Sequence, residues 1–492
     1  MKTAVYSLLF LLSFASCVNK NREQWWPQFR GPDGSCVANE NARPPIEFED
    51  KNLVWKTNLP VGYSSPVVWN DKIFLTGSNE DLKELITICL NRNDGKILWQ
   101  ESVFPDTLER YTSISNPATN TIVTDGERVI TYFASCGLIC YNMEGILQWK
   151  YPKRSTKYQN NNGTSPVITG DKLIHLDDEG SDRYLLALDK KTGQVIWKTP
   201  FKLVPFPDQG GQTTPCVYND IIVVHRVGEI AGYSVNDGSN RWNYRILTEA
   251  GGSPVMAGNK VIINCWHNWG EDEELLKLPD YDDLILKSDS NKNGTISVSE
   301  LPDDIMFFQR TEIKEINGTI ATLKEYFWMF DNNANKEFDR EEWEGLIAMK
   351  EFYEKPPSLI AINSEFKGQL ADSALLWSVT KRIPEIPSPI FYRNRVYMIA
   401  NGGFITCINA DTGNIVYQSR VGNTGAYFAT PVAANGLLYL FGYNGKLTII
   451  KAGDELKIIA QHDFKDNIAA TPAIIGNSIY IRTKTGLLAY SN

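Results

Sequence analysis

Residues 187–197 read Ala-Leu-Asp-Lys-Lys-Thr-Gly-Gln-Val-Ile-Trp. The order is a small residue, an apolar one, Asp or Asn, a turn ending in Gly, two or three residues, then Trp. It recurs at Cys89–Trp99, Cys140–Trp149, Gly232–Trp242 and Cys407–Tyr417, and in stretched form from Ala361 to Trp377. Each copy reads as a β-hairpin: an apolar strand enters, Gly takes the positive φ of a tight turn, and a second strand carries the aromatic. Internal repetition of this kind points to a repeat architecture.

A second mark repeats with it. Ser-Pro, Thr-Pro or Asn-Pro precedes an apolar strand at Pro66, Pro117, Pro166, Pro215, Pro254, Pro389, Pro431 and Pro472. The spacing is about 40–50 residues, with one step roughly 90 residues too long, so one unit carries an insertion. Proline at the first residue of a strand loses no needed ladder bond. Each unit then holds four antiparallel strands: A after the proline, B, and the C–D hairpin around the Gly turn. Eight such units predict an all-β fold, an eight-bladed β-propeller, with a small helical insertion in one blade. The C-terminus, GLLAYSN (486–492), stops where a strand C stops. Residues 52–60, NLVWKTNLP, supply an orphan strand D with Trp55 in the aromatic position. Joining the two closes the ring and removes exposed sheet edges.

The repeat resembles that of the pyrroloquinoline-quinone (PQQ) type propeller family. Trp-Pro-Gln-Phe-Arg-Gly-Pro (26–32) and Gly-Tyr-Ser-Ser-Pro-Val-Val (62–68) are similar to phrases of its bacterial members. The resemblance covers roughly 25–266 and 358–492. It implies the propeller fold but leaves the chemistry open, because the family contains both quinoprotein dehydrogenases and lipoprotein propellers without a cofactor.

The chain has 492 residues and a net charge of −9, with no lysine or arginine block. A nucleic-acid footprint needs clustered positive charge, so nucleic acid is not an expected partner. Residues 1–16 read as a secretory signal. The Phe-Ala-Ser-Cys junction resembles a bacterial lipobox with Cys17 as the lipidated residue, although Phe14 departs from the usual Leu. Membrane association is therefore expected through the lipid alone, at a periplasmic or outer-membrane location. Residues 17–51 read as a tether whose Trp25, Trp26 and Phe29 dock on the propeller. Cys89, Cys140 and Cys407 occupy the place that Ala187, Ala361 and Ala489 fill in other repeats, which reads as small buried apolar side chains rather than a disulfide framework. The four histidines have no zinc-like spacing.

The insertion, 267–357, is acidic with a helical texture. Residues 289–300 match a twelve-residue EF-hand loop: Asp289, Asn291 and Asn293 at positions 1, 3 and 5, Gly294 at the sharp turn, the Thr295 carbonyl at 7, and Glu300 closing with two oxygens. A second loop, 331–342, offers Asp331, Asn333, Asn335, the Glu337 carbonyl, Asp339 and Glu342. Lys336 stands where Gly is expected. Calcium takes six to eight hard oxygens at this spacing, and the pair resembles EF-hand domains generally. Few carboxylates per loop imply micromolar to millimolar affinity, and the expected role is structural.

In a four-stranded meander the A–B and C–D turns share one face, and the B–C and D–A loops the other. The insertion lies between strands B and C, on the second face. That face collects Tyr63, Ser64, Tyr111, Thr112, Gln212, Thr213 and Tyr427 with Arg226, His267, Arg482 and Lys484. A funnel of this kind is the default ligand site. The family's quinone sites imply calcium, acidic and amide ligands, a catalytic Asp and typically adjacent cysteines. This chain has no Cys-Cys pair, and no specific motif supports PQQ. The expected function is an exported, lipid-anchored, calcium-stabilised module that binds or scaffolds an envelope protein or small ligand at its mouth, without an assigned catalytic residue. The alternative is a periplasmic PQQ-dependent dehydrogenase acting on an alcohol or sugar.

Overall fold

The computed structural model describes residues 25–492 except 82, 110, 112–114, 153–162, 179–181, 202–210, 268–277, 310–319, 332 and 353–355. Its frame is eight sheets, each built on four antiparallel strands in meander order; Trp25–Trp26 adds a fifth strand to one and Gly368–Leu370 a parallel fifth strand to another. Blades 1 to 4 span 67–103, 123–152, 167–200 and 216–245. Blade 5 joins 255–265 to 358–379, and blades 6 and 7 span 390–420 and 432–463. Blade 8 takes strands A to C from 473–491 and its strand D from Leu53–Asn58, with Trp55 opposite Ala489. An eight-bladed propeller closed by its own N-terminal strand is thus the observed fold.

The sequence of each strand follows from its layer. Strands B and C lie between neighbouring blades and are buried on both faces, as in Ile221–Arg226 and Tyr184–Asp189. They therefore read as continuous apolar runs rather than alternating ones. Strand D is outermost and largely solvated. The core sits between blades: Ile174, Leu176, Leu185 and Ala187 of blade 3 pack on Ile222, Val224, Ala231 and Tyr233 of blade 4.

The hairpin at 187–197 shows why its residue types recur. Trp197 lies cross-strand from Ala187, and the same register pairs Cys89 with Trp99, Cys140 with Trp149 and Ala361 with Trp377. An indole over the sheet leaves room only for a small partner. In blade 7 Ala460 replaces the aromatic, and its partner grows to Ile449. The indole then reaches the next blade. The Nε1–H groups of Trp55, Trp99, Trp149, Trp197, Trp242 and Trp377 donate to carbonyls of Arg92, Met143, Lys190, Val235, Ser364 and Ala410 at 2.9–3.2 Å. Gly193 receives Trp149: its φ is 71°, and a Cβ there would lie 2.7 Å from the ring. The copy at 187–197 therefore holds the preceding blade with its glycine and the following blade with its tryptophan.

A second ring lies around the central channel. The hydroxyls of Thr121, Ser165, Thr214, Ser253, Ser388, Thr430, Thr471 and Ser65 accept, in that order, the amides of Ser65, Thr121, Ser165, Thr214, Ser253, Ser388, Thr430 and Thr471. The bonds are 2.9–3.2 Å long, every member is buried, and the circle closes on itself. A buried amide requires a partner, and a Ser or Thr at this place serves its neighbour while its own amide is served. Seven of the eight are followed by Pro. The exception corrects the sequence reading of blade 2: Asn116–Pro117 belongs to the preceding connection, where Asn116 meets Ser78, and Thr121–Ile122 fills the ring position before the strand Val123–Thr124.

The N-terminal segment crosses the face of A–B turns. Trp25 and Trp26 pair with Trp69 and Val68, Trp25 stacks on Trp69 with centroids 4.1 Å apart, and Trp26 is buried. Pro27 accepts the Thr124 amide, Val37 bridges to Ala433, and Arg43 donates to Gly476. Residues 25–52 thus run from blade 1 across the ring to blade 8. No described helix is long and apolar enough to cross a membrane. The signal stretch, Cys17 and Thr112 lie outside the described residues.

Candidate functional site

The insertion builds two loops of the same construction. Helix α1 (Tyr281–Ser288) enters the first, and helix α2 (Arg340–Phe352) leaves the second. A two-residue ladder joins them, Ile296 to Phe338 and Ser297 to Glu337. Ile296 and Phe338 are buried in a core with Tyr281, Leu284, Phe327, Trp343 and Leu346.

Hydrogen bonds correspond position by position. Asp289 accepts the amides of Asn293 and Gly294 at 3.2 and 2.9 Å; Asp331 accepts those of Asn335 and Lys336 at 3.1 and 2.9 Å. Asn291 accepts from Asn293 and Asn333 from Asn335. Asn293 and Asn335 in turn accept the amides of Thr295 and Glu337. Glu300 closes its loop by accepting from Asn291 and Ser297, and Glu342 accepts from Asn333 and Asp339. The Ser297 hydroxyl and amide hold the Glu300 carboxyl down to about 2, so it is ionised at neutral pH. Gly294 has φ 83°, and Lys336 shares that left-handed conformation at 67°. Among the described residues no three His, Cys, Asp or Glu side chains converge as a metal-ready group. Each loop also presents Asn side chains and backbone carbonyls beside its Asp and Glu, oxygens of the hard kind that could hold calcium.

At the propeller mouth most of the expected side chains turn into the fold. Ser64 accepts the Thr76 amide at 2.9 Å, Thr213 donates to the His225 carbonyl, and Tyr427 donates to Asn423. Tyr63, Ser64, Thr213, Tyr427, Arg226, His267 and Arg482 are all buried. Arg226 pairs with Asp178 at 3.3 Å and Glu229 at 3.1 Å and lies over the Phe201 ring. Arg482 donates to the Gly62 and Pro60 carbonyls, and burial draws its pKa down to about 10. Tyr111 and Lys484 stay exposed, and Gln212 is half-buried. The face also carries a reciprocal amide pair, Asn423 with Asn444 at 3.0–3.2 Å, and a Tyr63–Tyr443 hydroxyl contact at 3.5 Å. The amide pair and the Ser/Thr ring were missed in the sequence. The ring had a signal in the residue before each proline, whereas the asparagines repeat in no other blade.

The mouth can be tested against a PQQ–calcium site. Such a site needs free carboxylate and amide ligands around a flat anion. Of the buried carboxylates Asp177, Asp178 and Glu109, Asp178 faces Arg226 and Arg183 and accepts the amides of Gly211 and Val227. The seven cysteines among the described residues are free thiols. The described mouth residues do not fit that group, and the calcium-type loops lie in the insertion.

Comparison with known proteins follows the same division. Among solved structures, BamB from Moraxella catarrhalis matches at 12% identity, over 89% of this chain and 98% of its own, with a TM-score of 0.52. A europium-containing methanol dehydrogenase matches at 10% identity, 96% and 98% coverage and a TM-score of 0.58. A quinohemoprotein alcohol dehydrogenase from Pseudomonas putida matches at 11% identity, 95% and 80% coverage and a TM-score of 0.52. At these identities the likeness concerns the fold. The comparison with curated proteins finds no match. The family described as outer membrane protein assembly factor BamB (PQQ_2) matches residues 45–181, 181–279 and 367–492. These segments span well over half of the chain and every blade, and the chain belongs to this family.

Proposed function

We propose that this protein is an exported propeller that binds a protein partner at the cell envelope through its loop face, with a calcium-loaded loop pair beside that face. The observation that carries the reading is the extent of the family match. It reaches all eight blades, in a family described as an assembly factor, and passes over 280–366, which holds the loop pair and one strand of blade 5. The described mouth groups that turn into the fold, such as Arg226 on Asp178 and Tyr427 on Asn423, support recognition of a partner. Calcium ligation by Asp289, Asn291, Asn293, Thr295 and Glu300, and by Asp331, Asn333, Asn335, Glu337, Asp339 and Glu342, fixes the insertion. Lipidation of Cys17 holds the molecule at the membrane.

A photo-crosslinking residue at exposed Lys484 on the loop face, compared with one at exposed Asp237 on the opposite turns, tests the reading in producing cells. A discrete adduct at Lys484 that is absent at Asp237 is expected. Adducts at neither position, or equally at both, would sink the partner-binding reading.

A further inference from the structure

The two calcium-type loops are built alike, yet one side chain crosses from the second to the first. The ladder sets Glu337 opposite Ser297. Side chains two residues apart on a strand share a face, so Glu337 stands diagonal to Thr295, within reach of a long side chain. Its amide serves its own loop, donating to Asn335 Oδ1 at 2.8 Å. Its half-buried side chain serves the other. Asn293 Nδ2 donates to both Glu337 carboxylate oxygens, at 3.1 and 3.3 Å, and the Thr295 hydroxyl donates to Oε2 at 2.5 Å. Asn335 is the counterpart of Asn293, and among the described residues no hydrogen bond holds its side-chain nitrogen.

These bonds decide which end of the Asn293 side chain faces its own loop. A carboxamide has one oxygen that accepts or ligates and one nitrogen that only donates. Asn293 Oδ1 accepts the Thr295 amide at 3.0 Å while Nδ2 lies on the carboxylate. Turning the amide over would set Nδ2 against the Thr295 N–H, donor to donor, and Oδ1 against an anion. Both conflicts oppose the reversed form. The Thr295 hydroxyl, 2.9 Å from Asn293 Oδ1, gives its one proton to the nearer and charged acceptor. Oδ1 therefore keeps a lone pair beyond the one that meets the Thr295 amide. Calcium takes oxygen ligands, so only this orientation makes Asn293 a ligand.

We propose that Glu337 is a positioning residue for the first loop: from across the ladder, its carboxylate locks Asn293 with the oxygen toward the ion. This role is separate from the carbonyl that Glu337 offers to its own loop, and it rests on the calcium reading of the pair. The affinity of one loop for a hard divalent cation is then set by a side chain of the other.

Calcium titration calorimetry of the full exported chain tests this in a Glu342→Gln background, where the second loop has lost its closing carboxylate and the first dominates the isotherm. Removing a partner that orients a metal ligand weakens affinity about 10–100-fold. Glu337→Asp keeps the charge but loses a methylene of reach, and should weaken binding by that factor. Glu337→Gln keeps the reach and one accepting oxygen without the charge, and should weaken it by less than about tenfold. Unchanged affinity in Glu337→Asp would overturn the proposal. So would a loss in Glu337→Gln as large as in Glu337→Asp, which would assign the effect to charge alone. A wild-type chain that binds no calcium would sink the reading of the loops themselves, and this inference with it.

Discussion

Gly193→Ala probes the contact on which the ring of blades depends. Gly193 has φ 71°, so any side chain there meets left-handed strain of about 1–2 kcal/mol. The added Cβ would stand 2.7 Å from Trp149 ring carbons, well inside contact distance. The indole has to move, and overpacking of this kind costs about 1–3 kcal/mol. Movement also strains the 3.1 Å bond from Trp149 Nε1 to Lys190, worth about 1 kcal/mol. These terms overlap, and the expected total is about 2–5 kcal/mol. Gly170→Ala is the matched control: its φ is 57°, and nothing lies within 4 Å of its Cβ position, so strain of about 1–2 kcal/mol is its whole cost. Unfolding entropy near 2.1 cal/mol/K per residue over 492 residues gives about 1 kcal/mol per degree. Calorimetry should therefore place Gly193→Ala about 2–5 °C below wild type and Gly170→Ala about 1–2 °C below. Equal shifts for the two variants would refute the interlocking argument.

Ser253→Ala strips the acceptor from the buried Thr214 amide and should cost about 1–3 kcal/mol in chemical denaturation, with faster hydrogen exchange at that amide; unchanged exchange would contradict the ring. His225, held by Gly252 and Thr248 at 2.8 Å, is pushed down to about 4 by burial. The stability it contributes is full above its unfolded value near 6.5 and is lost as pH falls from there through 4, about 3 kcal/mol in all. His225→Gln should flatten that part of the acid limb, and an unaltered pH profile would remove the assignment. Lys336→Gly relieves about 1–2 kcal/mol of left-handed strain and should raise the stability of the insertion by that amount in thermal unfolding; an unchanged midpoint would show that the strain is not felt there. Cys17→Ala should release the protein from membranes on fractionation, and unchanged retention would exclude the lipid anchor.

The fold was legible because its constraints are local and repeated. A small residue, a glycine turn and an aromatic recur because one hairpin must hold both neighbours, and Ser-Pro or Thr-Pro recurs because the channel ring needs a hydroxyl and the strand start tolerates proline. Pro117 misled because a proline in a connection resembles one at a strand start, while the true ring residue, Thr121, precedes Ile122. In the paired loops the left-handed backbone at Lys336 was legible, because it stands where the turn expects Gly. The mouth was not. Tyr427, Arg226 and Arg482 carry ligand-like chemistry, yet their direction depends on neighbours far away in sequence, which bury all three. Arg30 was read only as part of a phrase, because the carbonyls that its guanidinium meets, in blades 5 and 6, lie more than 220 residues away.

The protein is proposed to bind its partner without a quinone cofactor and to be stabilised by calcium. This is tested most directly by calorimetric titration of the metal-stripped, exported chain, first with calcium and then with PQQ in the presence and absence of calcium. Calcium binding at the loop pair with no uptake of PQQ is expected. Tight, stoichiometric PQQ binding would contradict it and turn attention to an alcohol or sugar as substrate.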